Sequence, residues 1–388
     1  MYKVDLSANV PLFGQEMCYW CGAASAQMTR DGYPDPANRL YYTQTYLWNV
    51  IQAHNSTLPA DQGWATDPNG LNGCLQSLSS APVDWVPYPK PSAADVMFFM
   101  LYWMNIEQYP SPVLVNQGGH WVVVVEWETD VEPVGGSTPT LLQIRFHDPE
   151  PHNVGTDTTM SGAQWYAGPW NGAVIYSGSW FNQYVAIVEP PVPKGEVKIA
   201  TVNRLGDKLL TPEQAMEFAG RWIEERRLHE KPQYRLLRHA DVQSHSPLLV
   251  REHTAQPVRG EPPKMTERVP HYYIVPFGLK GELGPQGSPL VRICVLVNAY
   301  SGAFEEVTTF GKPLHYLSQQ EALNAVAAAL RVDRQELKHA KATLMFQPGE
   351  ITHVRTYPFW AVEYNNRFLY VDQLGRIYTH LLPSIPGD

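Results

Sequence analysis

The stretch Gln15-Glu16-Met17-Cys18-Tyr19-Trp20-Cys21-Gly22-Ala23-Ala24-Ser25 sets a glutamine six residues before a cysteine that opens a run of small, helix-forming residues. A thiol attacks carbon only as its thiolate. A cysteine in the first turn of a helix meets unsatisfied backbone N–H groups and the positive end of the helix dipole, both of which favour that anion. Ala23, Ala24, Ser25 and Ala26 let such a helix sit between two walls. Gln15 is placed to offer an amide N–H to an oxyanion forming beside the sulfur. The alternative reading of Cys21 alone is a small buried hydrophobe, the commonest fate of a cysteine thiol.

Two more segments add chemistry. Val113-Leu114-Val115-Asn116-Gln117-Gly118-Gly119-His120-Trp121-Val122-Val123-Val124-Val125 puts a histidine after two glycines, at the head of a run with the β-branched content of a buried strand. The glycines allow a substrate backbone to approach, and the strand would hold the ring rigidly. Leu142-Gln143-Ile144-Arg145-Phe146-His147-Asp148-Pro149 predicts a second strand ending in a carboxylate, with a proline to stop the ladder. Val131 to Thr140, rich in Gly, Pro, Ser and Thr, reads as the loop of a hairpin joining the two. Paired in this way, the strands can bring Asp148 to His120.

The set Gln15, Cys21-Gly22 with Ala24 and Ser25, Gly119-His120-Trp121 and Asp148-Pro149 resembles the papain-like cysteine peptidases. It is closest to the compact bacterial branch that includes the peptidases of double-glycine leader peptides. The resemblance covers about residues 1 to 190 and departs from the plant pattern in two places. Gly22, not an aromatic residue, follows Cys21, and His120 lies 99 residues downstream of Cys21, against about 130 to 150 in plant relatives. It implies a nucleophile-bearing helix packed on an antiparallel sheet, an α+β fold. It also implies a Cys21–His120–Asp148 triad with an oxyanion hole from Gln15 and the Cys21 N–H, no cofactor or metal, and a peptide or protein substrate. Deamidation, transglutamination and cleavage of a cell-wall peptide use the same frame, and a catalytically silent peptide-binding module retains the same fold.

Other candidates fall away on spacing or composition. In some papain-like enzymes a cysteine three residues before the nucleophile is disulfide-bonded, which would pair Cys18 with Cys74. Four cysteines in 388 residues and no secretory leader favour thiols instead. Cys294 sits within a buried-strand pattern. His147, Asp148 and His152 match no metal spacing, and strand alternation should turn His147 away from Asp148.

Composition is that of a globular chain, 44% hydrophobic and 17% charged, and at this length two or three domains are expected. The longest apolar run, Val96 to Met104, is too short for a membrane span and reads as a buried helix. Absence of a basic-then-apolar N-terminus predicts a cytoplasmic protein, or one exported without a Sec signal as an effector or toxin with an immunity or inhibitor protein as partner. Net charge is −12 over residues 1–190 and +3 over 191–388. The acidic half argues against nucleic acid as a direct substrate.

The proline-rich Glu189–Gly195 predicts a connector after a last strand at Trp180–Val188. Beyond it, Thr211 and Ser318 each cap a helix, and each helix is followed by strands with a glycine turn. Tyr272–Phe277 and Val291–Thr308 echo Tyr357–Glu363 and Phe368–Gly375. These halves, about 197–310 and 311–388, resemble PepSY-type modules, which accompany bacterial peptidases as inhibitory or localising units. Gln243–Arg268 lacks periodicity and is expected to be a long loop.

Overall fold

The computed structural model describes residues 1–34, 39, 41–56, 65–79, 84–176, 178–188, 198, 208–255, 257–258, 261–263, 265, 269–284, 287–365 and 367–383. The expected connector Glu189–Gly195 lies outside them. The chain divides into two compact units, residues 1–202 and 203–383.

The first unit runs β1 (Tyr2–Asp5), α1 (Cys21–Asp31), α2 (Gln44–His54), α3 (Pro68–Ser77), β2 (Val86–Lys90), α4 (Ala93–Glu107), β3 (Ser111–Val115), β4 (His120–Thr129), β5 (Leu141–Asp148), β6 (Thr156–Ser161), α5 (Gly162–Ala167) and β7 (Tyr184–Val188). Its strands pair antiparallel in the order β6-β5-β4-β3-β7-β2, with β1 beside the second half of β4. The fold is therefore mixed α+β. β7 starts four residues later than the sequence suggested, because Trp180–Gln183 is a turn closed by Gln183 N–H donating to the Trp180 carbonyl.

Alternation along the strands builds two cores. Leu114, Trp121, Val185 and Ile187 pack with Cys21, Ala23 and Ala26 of α1 and with Leu47, Ile51, Leu71 and Leu75 of α2 and α3. Val113, Val115, Val122, Val124 and Ala186 pack with α4, whose Val96, Phe98, Met100 and Leu101 are buried. The sequence gives α4 no polar face because most of its surface is inside the protein. No helix among the described residues is long and apolar enough to cross a membrane.

The second unit comprises α6 (Pro212–Glu225), β8 (Val242–Ser244), β9 (Leu248–Glu252), β10 (His271–Leu279), β11 (Val291–Asn298), β12 (Phe304–Leu314), α7 (Gln319–Leu330), β13 (Lys341–Phe346), β14 (Phe359–Tyr364), β15 (Arg367–Val371) and β16 (Ile377–Tyr378). Thr211 and Ser318 each form a complete capping box at their helix. β8 and β9 correct the expectation of a long loop over 243–268. Leu248-Leu249-Val250 is too short an apolar run to declare a strand alone, and β9 forms because β10 and β13 flank it.

The strand order here is β16-β15-β14-β13-β9-β10-β11-β12, antiparallel except at the central β13–β9 contact, which is parallel. Ala215, Ala219 and Ile223 of α6 share a core with Leu249, Tyr273, Val275 and Val295. Ala322, Leu323 and Val326 of α7 share another with Ala342, Trp360 and Val362. Met345 pairs with Arg251, which shares a face with Leu249, whereas Ala342 has the opposite parity to Met345. The two helices therefore cover opposite faces of these strands. Matching turns close the two meanders. Asn298 Oδ1 accepts from Tyr300 and Ser301 N–H at 3.0 Å before Gly302 (φ 69°), and Asp372 Oδ1 accepts from Leu374 and Arg376 N–H at 2.9 Å around Gly375 (φ 78°).

A buried cation joins this unit's elements. Arg355 Nε lies 2.9 Å from Glu252, its guanidinium bonds Glu305 and faces Glu306, and it stacks 4.3 Å from the Tyr272 ring centre. Asn298 Nδ2 donates to Glu305 at 3.0 Å, and Thr308 Oγ1 donates to Glu306 at 2.7 Å. Replacing Arg355 with Met would leave three buried carboxylates without their cation. We expect a loss of about 3–5 kcal/mol, read as a lower urea midpoint for this unit; an unchanged midpoint would show that the cluster contributes little.

Candidate active site

Three elements converge on Cys21. Helix α1 begins at Cys21 itself, with Trp20 as its N-cap, no side-chain cap bond and no acidic residue in the first turn. The first-turn N–H dipoles are thus not neutralised by a carboxylate of the turn itself. Gly22 permits a close approach, since a Cβ there would lie 2.4 Å from Thr66 Oγ1. Trp121 Nε1 donates to the Thr66 carbonyl at 3.0 Å, so the segment before α3 ties α1 to the strand bearing the histidine.

His120 is the first residue of β4, delivered by a left-handed turn in which Asn116, Gln117 and Gly118 have φ of 51°, 59° and 95°. Such backbone persists only where surroundings impose it. Asn116 N–H donates to the Pro169 carbonyl at 2.7 Å, Ile175 N–H donates to the Gln117 carbonyl at 3.1 Å, and Tyr176 packs over Gly118.

The β4–β5 register brings the carboxylate to this ring. Val124 pairs with Phe146 and Val123 with His147. Asp148, the last residue of β5, therefore lies near the head of β4, where His120 begins the strand. His120 Nε2 lies 2.7 Å from Asp148 Oδ1, which also accepts from Glu150 N–H at 2.8 Å. The same ring hydrogen-bonds the Cys21 side chain. Burial works against the imidazolium. The Asp148 charge and hydrogen bond, reinforced by Cys21, outweigh it and hold the His120 pKa well above the ordinary value.

Gln15 is held on the loop that leads into α1. Its Nε2 donates to the Cys18 carbonyl at 3.0 Å, which leaves one N–H of the amide for another acceptor. Its Oε1 is buried with no hydrogen-bond partner among the described residues. The turn after Asp148 braces this loop. Gln15 N–H donates to the Pro149 carbonyl at 2.9 Å, Asn153 N–H donates to the Gln15 carbonyl at 2.8 Å, and His152 Nε2 contacts the Glu16 carbonyl. A Cβ on Gly14 would meet Val154 N at 2.4 Å, so the two loops touch backbone to backbone. None of this bracing is encoded in a motif; the Asn153 and Gly155 turn residues are its one visible sign.

The remaining candidates have other surroundings. His147 falls opposite Asp157 in the β5–β6 register, beside Arg145 and away from Asp148, and burial lowers its pKa. Cys18 is exposed. Cys74 is buried between helices with its thiol 3.9 Å from the Leu47 carbonyl and its pKa pushed up to about 12 by burial. Both are thiols, not partners in a disulfide. Cys294 is buried beside the Tyr316 hydroxyl in the second unit, and burial raises its pKa. No group of His, Cys, Asp and Glu among the described residues is arranged to hold a metal ion.

The assembled site is enclosed. Cys21, His120 and Gln15 are each 0% exposed and Asp148 is 2% exposed. An aromatic wall stands beside the nucleophile, with Tyr19 and Trp20 against Trp48 at ring separations of 5.5 and 5.8 Å. Chemically, the arrangement supplies a thiol at a helix N-terminus, an imidazole whose charged form is favoured beside it and a carboxylate that fixes the imidazole. No family model, no curated protein and no solved structure matches this chain.

The sign of the His120 shift makes the carboxylate's role measurable. Stabilisation from charging His120 is complete below the ordinary imidazole pKa of about 6.5 and is lost as pH rises through the raised folded value. In an NMR titration the His120 ring should therefore turn over well above that value. Asp148→Asn should lower the midpoint by about one unit or more, and an unchanged midpoint would remove Asp148 as the cause.

Proposed function

We propose that this chain is a cysteine peptidase of papain-like architecture acting through Cys21, His120 and Asp148. The observation that carries the reading is the buried set of contacts in which His120 Nε2 lies 2.7 Å from Asp148 Oδ1 and the same ring hydrogen-bonds the Cys21 side chain. In the proposed reaction the Cys21 thiolate attacks a peptide carbonyl. The oxyanion is received by the remaining Gln15 N–H and the Cys21 backbone N–H, His120 protonates the leaving amine, and water hydrolyses the thioester. The net charge of −12 over residues 1–190 suits a basic or polar peptide better than nucleic acid.

The same acyl-enzyme serves deamidation, transglutamination or cleavage of a cell-wall peptide, which differ in leaving group and acceptor. Enclosure of Cys21 favours one further reading, a papain-like module that binds a peptide without turning it over. The second unit, with its two capped helices and meanders, is read as a pair of PepSY-like modules that inhibit, target or recruit. An effector or toxin role, with an immunity protein as partner and a cytoplasmic or Sec-independent route, belongs to the same proposal.

Treatment with an epoxysuccinyl thiol inhibitor, followed by peptide mapping, should give a single adduct on Cys21 that is absent in Cys21→Ala and His120→Ala. Removing the Gln15 amide should slow turnover on the order of 100- to 1000-fold. Adducts spread over Cys18, Cys74 and Cys294 would support the binding module, and ammonia released without a new N-terminus would replace proteolysis with deamidation.

A further inference from the structure

Cys18 is a second thiol on the nucleophile's own loop that the proposed reaction does not use. It is exposed, whereas Cys21, three residues on, is buried against His120. Cys18 is the second residue of a turn over Met17–Trp20, closed by Trp20 N–H donating to the Met17 carbonyl at 3.1 Å, and Cys21 follows that turn directly as the first residue of α1, where Ala24 N–H donates to the Trp20 carbonyl at 2.9 Å. The intervening Tyr19 and Trp20 are anchored on Trp48. Two cysteines three residues apart, one within a turn and the other just past its end, can reach the Cα separation of about 4.4–6.8 Å that a disulfide needs. The other thiols are poor partners. Cys74 and Cys294 are both buried, and burial raises the pKa of each thiol.

We propose that Cys18 and Cys21 form a reversible disulfide switch, driven by hydrogen peroxide and reset by a dithiol. The inference rests on the reading of Cys21 as an activated thiolate. The Cys21 sulfur attacks one peroxide oxygen and the O–O bond breaks, giving a sulfenic acid and hydroxide, which the His120 imidazolium protonates to water. The Cys18 thiol then attacks the Cys21 sulfur, the S–O bond breaks, and a second water leaves. Sulfur is oxidised, both peroxide oxygens are reduced to water, and the pair has lost two hydrogens. Two consequences follow at the site. The nucleophile is removed, and the Cys18 carbonyl that receives the Gln15 amide is carried with it. Cys18 also intercepts the sulfenic acid before a second peroxide converts it irreversibly to sulfinic acid.

The full-length protein is treated with hydrogen peroxide, then mapped by mass and tested for Cys21 alkylation by iodoacetamide before and after dithiothreitol. Wild type should lose two hydrogens, with a Cys18–Cys21 crosslink, and regain Cys21 alkylation on reduction. Cys18→Ser should instead gain two or three oxygens on Cys21 and recover none. Oxygen gain on Cys21 in wild type, or a crosslink to another cysteine, would overturn the switch while leaving the thiolate reading intact. Alkylation of Cys21 before any peroxide at the same rate in wild type and His120→Ala would overturn the thiolate reading and the switch with it.

Discussion

A buried imidazole held by a buried carboxylate is the constraint on which the first unit is organised. Neither charge belongs inside a protein alone, and each is tolerated here because the other is 2.7 Å away and because Glu150 N–H completes the carboxylate's partners. The pairing requires a definite β4–β5 register, since a slip of one residue would turn Asp148 to the far face. It requires the left-handed turn at Asn116–Gly118 to start β4 at His120, and it requires the turn after Asp148 to stop the strand. That same turn reaches back to Gln15, so the carboxylate and the amide are set by one piece of backbone.

Helix α1 supplies the other half. Its small residues let it lie against β4, and its first turn carries no acid to compete with a thiolate. The expected helix at Cys21, the hairpin loop at 131–140 and the terminal position of Asp148 were legible because each is announced locally, by alanines, by turn residues and by a proline. Thr66, which joins α1 to β4 through the Trp121 indole, was not legible, because no local pattern tells which carbonyl a buried indole will find. The direction of the Gln15 amide was unreadable for the same reason, as was the enclosure of the thiol.

In the second unit the capping boxes at Thr211 and Ser318 and the glycine turns were visible in the residues themselves. β8 and β9 were hidden within a polar stretch, because β9 is defined by its neighbours on both sides and not by its own three apolar residues. The buried Arg355 was likewise silent in the sequence. Its three carboxylate partners come from β9 and β12, distant in the chain and adjacent only in the sheet.

The central claim is that Cys21 and His120 exist as a thiolate and imidazolium pair at neutral pH. Ultraviolet thiolate absorbance across a pH titration, compared among wild type, Cys21→Ala and His120→Ala, tests it most directly. A Cys21-dependent absorbance already present at neutral pH and lost on removal of His120 is the predicted result. An absorbance that emerges only in the alkaline range of an ordinary thiol, whether or not His120 is present, would contradict it.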